Sequence, residues 1–213
     1  MEKQSQLFDG QPVIAFDNED SRRRFLRGAA LIGVGGTLAV AYRDDPLALA
    51  QDVAQSDLDI LNYALTLEFL EAEFYATALD NDVVEGRELE LITPIRDHEQ
   101  AHVAAITQTI DDLGGDPVAK PTFNLPKKTV NKRGAFLKTA STFEELGVTA
   151  YHGQVAAIKS VDILAAAAAI AGVESRHAAI LAVLTGNNPF PAPMEASRTM
   201  QEVLDIAAPF IES

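Results

Sequence analysis

The 213-residue chain contains no cysteine and no tryptophan. Without cysteine there is no disulfide and no thiolate metal site, so any metal must be held by nitrogen and oxygen ligands. Positive charge is scarce. Lysine and arginine number 17 against 31 aspartates and glutamates, a formal net charge of −14. That balance excludes nucleic acid as the main partner, because the phosphate backbone is bound by basic side chains. It suits solubility and the attraction of cations. Strand-like alternation of useful length is also missing, which points away from a sheet. What the chain does have is apolar content: 47% of its residues are hydrophobic. This excludes a disordered chain and allows one domain with a sizeable core plus an additional segment.

The additional segment lies at the amino terminus. "SRRRFLR" (21–27) precedes "GAALIGVGGTLAVA" (28–41), an uncharged and weakly hydrophobic run. The run is shorter than the ~20 residues that a spanning helix needs. Ala48-Leu49-Ala50 then supplies a small-x-small cleavage signal. Arg22-Arg23 followed by Phe25, Leu26 and Arg27 closely resembles a twin-arginine export signal. The expectation is a cleaved signal peptide over 1–50 and a mature domain over 51–213, periplasmic or extracellular, with no stable membrane span after cleavage. The resemblance implies export of an already folded protein. Gly33-Val34-Gly35-Gly36 looks like a fragment of a phosphate loop, but no strand precedes it, and glycines are usual in such a leader.

In the mature part the pattern is helical. Ser56-Asp57-Leu58-Asp59 reads as a capping box with Ser56 at the N-cap, opening a helix to about Leu79. A second helix runs from about Gly86 to Leu113, stopped by Gly114-Gly115. Pro94 either starts that helix at Thr93 or kinks a longer one. Residues 116–131, with three prolines and no period, form a connector. It can reach ~50 Å when extended, further than the ~35 Å of a helix of about 24 residues. A third helix spans about 132–158, Ser160 caps a fourth that ends near Thr185-Gly186, and a short last helix covers about 195–208. Four long helices with short, long and short connections predict an all-α four-helix bundle with one long crossover and a short C-terminal helix.

Glutamate then appears where it is costly. Glu99 shares its face with Ile92, Ile95, Val103 and Ile106, and Glu174 with Ala167, Ile170, Ala178 and Leu181. An unpaired carboxylate buried there costs several kcal/mol. In "HEQAH" (98–102) and "VESRH" (173–177) a histidine three residues on, His102 or His177, shares that face. The other two long helices each place one glutamate in a core stripe, Glu68 and Glu144, and each is followed seven residues later by a tyrosine, Tyr75 or Tyr151. Glu68 lies about 13 residues before the first turn and Glu99 about 13 after the second helix begins, while Glu144 and Glu174 lie about 15 either side of the later turn; equal counts in an antiparallel hairpin mean equal height. This also favours a second helix that starts near Gly86 and tolerates Pro94.

Glu71, flanked by Ala64, Leu67, Phe74 and Tyr75, stands as a competing ligand or a supporting group. Glu145 reads as solvent-facing and Glu73 as peripheral. His98 and His152 fall on other faces and read as exposed. Tyr75 and Tyr151 are either partners of the carboxylates or core aromatics. Four carboxylates and two imidazoles at one level repel one another when empty, and two divalent cations would neutralise them. Oxygen ligands with a single imidazole per metal suit iron or manganese better than zinc. The bland alternative is a set of polar core groups that satisfy one another.

"LTLEFLEAEFY" (65–75), "HEQAH", "TFEELGVTAYHG" (142–153) and "VESRH" resemble the ferritin-like superfamily. The closing "VLDIAAPFI" (203–211) is similar to its exported, desiccation-related branch. The resemblance implies a ferritin-like four-helix bundle holding two metal ions per chain, iron or manganese. Glu68, Glu99 and His102 would serve one half, and Glu144, Glu174 and His177 the other, with no catalytic group beyond the ligands. It implies redox chemistry with O2 or peroxide, ferroxidase or peroxide-detoxifying, as part of an oxidative-stress response. The alternative it leaves open is a non-catalytic stress-protective protein. The short final helix and early start of the bundle predict a monomer or small homo-oligomer and not a storage cage.

Overall fold

A computed structural model of the chain describes residues 55–212. The export-signal motif and the cleavage point at Ala48–Ala50 lie outside the described residues. Four long helices and two short ones follow in order: α1 (Gln55–Asp80), α2 (Gly86–Asp112), α3 (Lys127–Asn131), α4 (Arg133–Gln154), α5 (Val161–Thr185) and α6 (Met200–Ala207), the last running into a 3-10 turn (Ala208–Phe210). Among the described residues the one ladder contact is an isolated bridge between Phe123 and Ile211.

Helices α1 and α2 pair as one hairpin and α4 and α5 as another; α1 also meets α4, and α2 meets α5. The four therefore form a ring, and the long connection carries the chain across its diagonal from α2 to α4. This is the all-α bundle with one long crossover that the periodicity predicts. The C-terminus pins the crossover, with Asn124 N–H donating to the Phe210 carbonyl (2.9 Å) and Glu212 N–H to that of Thr122 (2.9 Å).

Boundaries differ from the expected ones in places. Ser56 is not an N-cap, because α1 already includes Gln55. Asp57, expected inside that capping box, caps a different helix: its buried carboxylate accepts from the backbone N–H groups of Lys159 (3.0 Å) and Ser160 (2.8 Å) at the start of α5. A negative charge at a helix N-terminus is favourable. The connector is not wholly irregular, since α3 forms within it. Helix α4 ends at Gln154, short of 158, where the Arg198 backbone crosses so closely that a Cβ on Gly153 would lie 1.8 Å from its carbonyl oxygen. Helix α6 begins at Met200, later than 195, because Thr199 and Glu202 form a capping box there. Pro94 sits inside α2 as the depth argument favoured, and Ser160 caps α5 as expected.

Two apolar clusters fill the bundle. One centres on Phe74, Tyr75, Phe136 and Phe143 and includes Ile92, Ile95 and Leu181. The other holds Leu61, Leu65, Ile106, Ile110, Ile163 and Ile170. On α2 the first cluster precedes Glu99 and the second follows His102; on α5 the order is reversed. The acidic residues thus occupy a layer between two hydrophobic ones. Helix α5 is long and apolar enough to cross a membrane by length and composition. It carries buried Glu174 and His177, and its apolar side forms bundle core.

Candidate metal centre

All six predicted residues meet in that layer. Glu68 (α1), Glu99 and His102 (α2), Glu144 (α4), and Glu174 and His177 (α5) are each at most 8% exposed. They form two groups, Glu68–Glu99–His102–Glu174 and Glu99–Glu144–Glu174–His177. Within each group one nitrogen or oxygen per residue lies within 4.8 Å of the others. Glu99 and Glu174 belong to both.

Both histidines turn Nδ1 inward. His102 Nδ1 lies 3.1 Å from Glu68 Oε2, 3.3 Å from Glu99 Oε2 and 3.1 Å from Glu174 Oε1. His177 Nδ1 lies 3.0 Å from Glu99 Oε1 and 3.2 Å from Glu144 Oε2. One N–H cannot point at several oxygens at once. Glu99 Oε1 and both oxygens of Glu174 therefore remain buried with no hydrogen bond, although the nearest ring nitrogens are within ion-pair distance.

The tyrosine question is settled by a reciprocal exchange. Tyr75 of α1 donates to Glu144 Oε1 of α4 at 2.5 Å, and Tyr151 of α4 donates to Glu68 Oε1 of α1. Equal seven-residue offsets on antiparallel neighbours produce this pairing. Tyr151 also lines an apolar cavity of about 30 Å³ between the layer and the far end of the bundle, with Ala64, Ile106, Ala167 and Ile170. That side of the site is walled by hydrocarbon.

The electrostatics are those of an overfilled acidic pocket. Burial, reinforced by the neighbouring carboxylates, pushes Glu71 and Glu174 well above the usual carboxylate range. Burial pushes Glu99 up to about 7, against the pull of the adjacent His102 and His177 imidazoles. Burial alone would raise Glu68 too, but the charge and hydrogen bond of His102, with the Tyr151 hydroxyl, hold it below its ordinary value. Burial alone would lower both imidazoles; the carboxylates overcome it, raising His102 strongly and His177 to about 10. Without cations the cluster retains protons in their place.

Glu71 is buried at 4% exposure beside the cluster but belongs to neither group. Opposite it stands Gly147 of α4. A Cβ there would lie 3.1 Å from Glu174 Oε2 and 3.5 Å from Glu71 Oε1, so the bare backbone makes room for both carboxylates. Sequence reasoning passed over Gly147; its signal was a glycine in mid-helix, three residues after Glu144. His98 also departs from expectation. It is largely exposed, but its Nδ1 meets Nε2 of His177 at 2.9 Å. Its helical phase does place it off the Glu99 face; the contact comes from α5. His152 bonds the Val148 carbonyl of its own helix (2.8 Å), Glu145 is exposed, and Glu73 pairs with Lys120 (2.6 Å).

The donor set fits a cation pair. Buried carboxylate oxygens lack donors, two carboxylates are common to both groups, and each group has one imidazole and no sulfur. These residues can hold metal ions.

Comparison with known proteins agrees with the fold. A family model described as a ferritin-like domain matches residues 56–187, more than half of the chain. The protein belongs to that ferritin-like family. Among solved structures, a hypothetical protein from Methanococcus jannaschii DSM 2661, MJ0754, superposes with a TM-score of 0.54 at 16% identity. The match covers 76% of this chain and 97% of that one, and at this identity it speaks for the fold alone. A search of curated proteins gave no match.

Proposed function

We propose that the protein is an exported ferritin-like protein that binds two iron or manganese ions and uses them in redox chemistry with O2 or peroxide. The observation that carries this reading is the pair of four-residue groups sharing Glu99 and Glu174, with orphaned carboxylate oxygens at the shared position. A pair of such ions supplies a two-electron couple suited to O2 or peroxide. The chain's own residues do the rest. Glu68, Glu99 and His102 serve one ion; Glu144, Glu174 and His177 serve the other. Tyr75 and Tyr151 fix the rotamers of Glu144 and Glu68 through their hydroxyls. The flanking apolar clusters exclude bulk water and strengthen each charge interaction. Export by the twin-arginine route, removal of residues 1–50 and a monomeric or small oligomeric state complete the proposal; the Arg22-Arg23 leader and the Ala48-Leu49-Ala50 motif support its first two parts.

Metal analysis of the purified protein, followed by peroxide-consumption and Fe(II)-oxidation assays, tests the proposal. Two ions per chain and turnover faster than free metal are expected, with loss of both in Glu144→Ala and little change in Glu145→Ala. Fully metallated protein without turnover would favour the protective, non-catalytic alternative. Protein that takes up no metal would overturn the metal reading itself.

A further inference from the structure

We infer that His98 is a positioning residue for His177, fixing its ring so that Nδ1 faces the carboxylates, and that the two halves of the cluster are therefore unequal cation sites. His98 Nδ1 and His177 Nε2 are 2.9 Å apart, and the ring planes differ by 12° with centroids separated by 5.2 Å. The centroid separation exceeds the N···N distance by about two ring radii. Nearly coplanar rings at that separation lie edge to edge, joined by an in-plane N–H···N bond, and are not stacked face to face.

Either ring supplies the proton of this bond. With a cation at Nδ1, the neutral His177 ring keeps its one proton on Nε2, which donates to His98 Nδ1. Without a cation, Nδ1 faces Glu99 Oε1 and Glu144 Oε2, and a neutral ring protonated there accepts at Nε2 from His98 Nδ1–H, so the bond forms with either polarity. His98 needs only to sit on a fixed helix, and it does: it directly precedes Glu99 on α2, so one turn of α2 supplies both a carboxylate of the cluster and the brace for the histidine of α5.

His102 has no such brace. Its Nδ1 serves Glu68, Glu99 and Glu174, and among the described residues no hydrogen-bond partner meets its other nitrogen. Removing the partner that orients a metal-binding histidine typically costs 10–100-fold in affinity. The half containing His177 is thus the tighter site, and its advantage depends on His98.

The cation part of this inference rests on the proposed function, so the experiment has two arms. In the metal-free, 15N-labelled protein, long-range 1H–15N spectra should show the His177 Nε2 signal shifted in His98→Ala, because the ring nitrogen loses its partner. Co(II) titration by calorimetry should resolve two affinities in the wild type. His98→Ala should weaken the tighter one about 10–100-fold and leave the other nearly unchanged, with helical content intact. His98→Asn should largely restore it, because Oδ1 branches from Cγ as Nδ1 does and accepts the same bond. Equal weakening of both sites, no weakening, or failure of asparagine to rescue would overturn the inference. If the wild type binds no Co(II), the metal reading falls while the first arm still decides the positioning role: a His177 Nε2 signal indifferent to His98→Ala would refute it, and one that shifts would sustain it.

Discussion

Tyr75→Phe isolates the hydroxyl that braces the cluster. Tyr75 is fully buried, and its hydroxyl donates to Glu144 Oε1 at 2.5 Å. Phenylalanine keeps the ring and its contacts with Phe74 and Phe136, so almost no cavity is made. What is lost is one hydrogen bond to a buried carboxylate, a class that contributes about 1.5–3 kcal/mol, and one acceptor is left without its donor. For a domain of this size 1 kcal/mol moves the midpoint by about 2–4 °C, so roughly 2 kcal/mol predicts a fall of about 4–8 °C in the metal-free protein. Urea unfolding should show a lower midpoint with an unchanged slope. The control is built into the same core. The Tyr63 hydroxyl is buried without a partner, and burial pushes its ionisation far above the usual tyrosine range. Tyr63→Phe removes an unmet desolvation cost and should be neutral or stabilising. If both substitutions change stability equally, or Tyr75→Phe costs less than about 0.5 kcal/mol, the hydroxyl does not brace Glu144 and the reasoning fails.

Three further outcomes are expected. The metal-free protein should lose stability as pH rises. Glu99, raised from 4.5 to about 7, and His177, raised from 6.5 to about 10, both bind protons more tightly when folded, so stability drains away from about pH 5 up through pH 10; metal affinity should rise over the same range because the ligands must lose those protons. A melting temperature that climbs from pH 5 to 9 without metal would contradict this. Gly147→Ala should keep or slightly raise metal-free stability, since alanine favours a helix by up to ~1 kcal/mol, yet weaken metal binding by displacing Glu174 or Glu71; unchanged affinity in a calorimetric titration would show that the carboxylates do not need that space. Replacing Arg22 and Arg23 by lysine should retain the precursor inside the cell, as cell fractionation would reveal, and full export of the variant would refute the twin-arginine proposal.

Most of the bundle was legible because helical phase and turn chemistry are local. Glycine pairs, the Ser160 cap and the Gly186 C-cap in left-handed conformation mark ends that need no distant partner. The six residues of the cluster were legible for a related reason: a glutamate amid isoleucines on one face is improbable unless something across the core compensates it. Asp57 shows the limit. Its sequence context fits a local cap, but its carboxylate closes the end of α5, about a hundred positions away, and no short-range signal distinguishes those roles.

By itself, then, the sequence determined that four helices form, that each brings a carboxylate to one height, and that two of them add a histidine on the same face. Period and spacing suffice for that, since they are properties of a single helix. Tertiary structure decided what lies across from each group. It set Tyr75 against Glu144 and Tyr151 against Glu68, left Glu174 without a donor, opened room for Glu71 opposite Gly147, and brought His98 to the far nitrogen of His177. These are contacts between helices, fixed by how the hairpins pack and rotate against each other. A pattern along one chain segment specifies which face turns inward, and only the neighbouring helix specifies what that face meets.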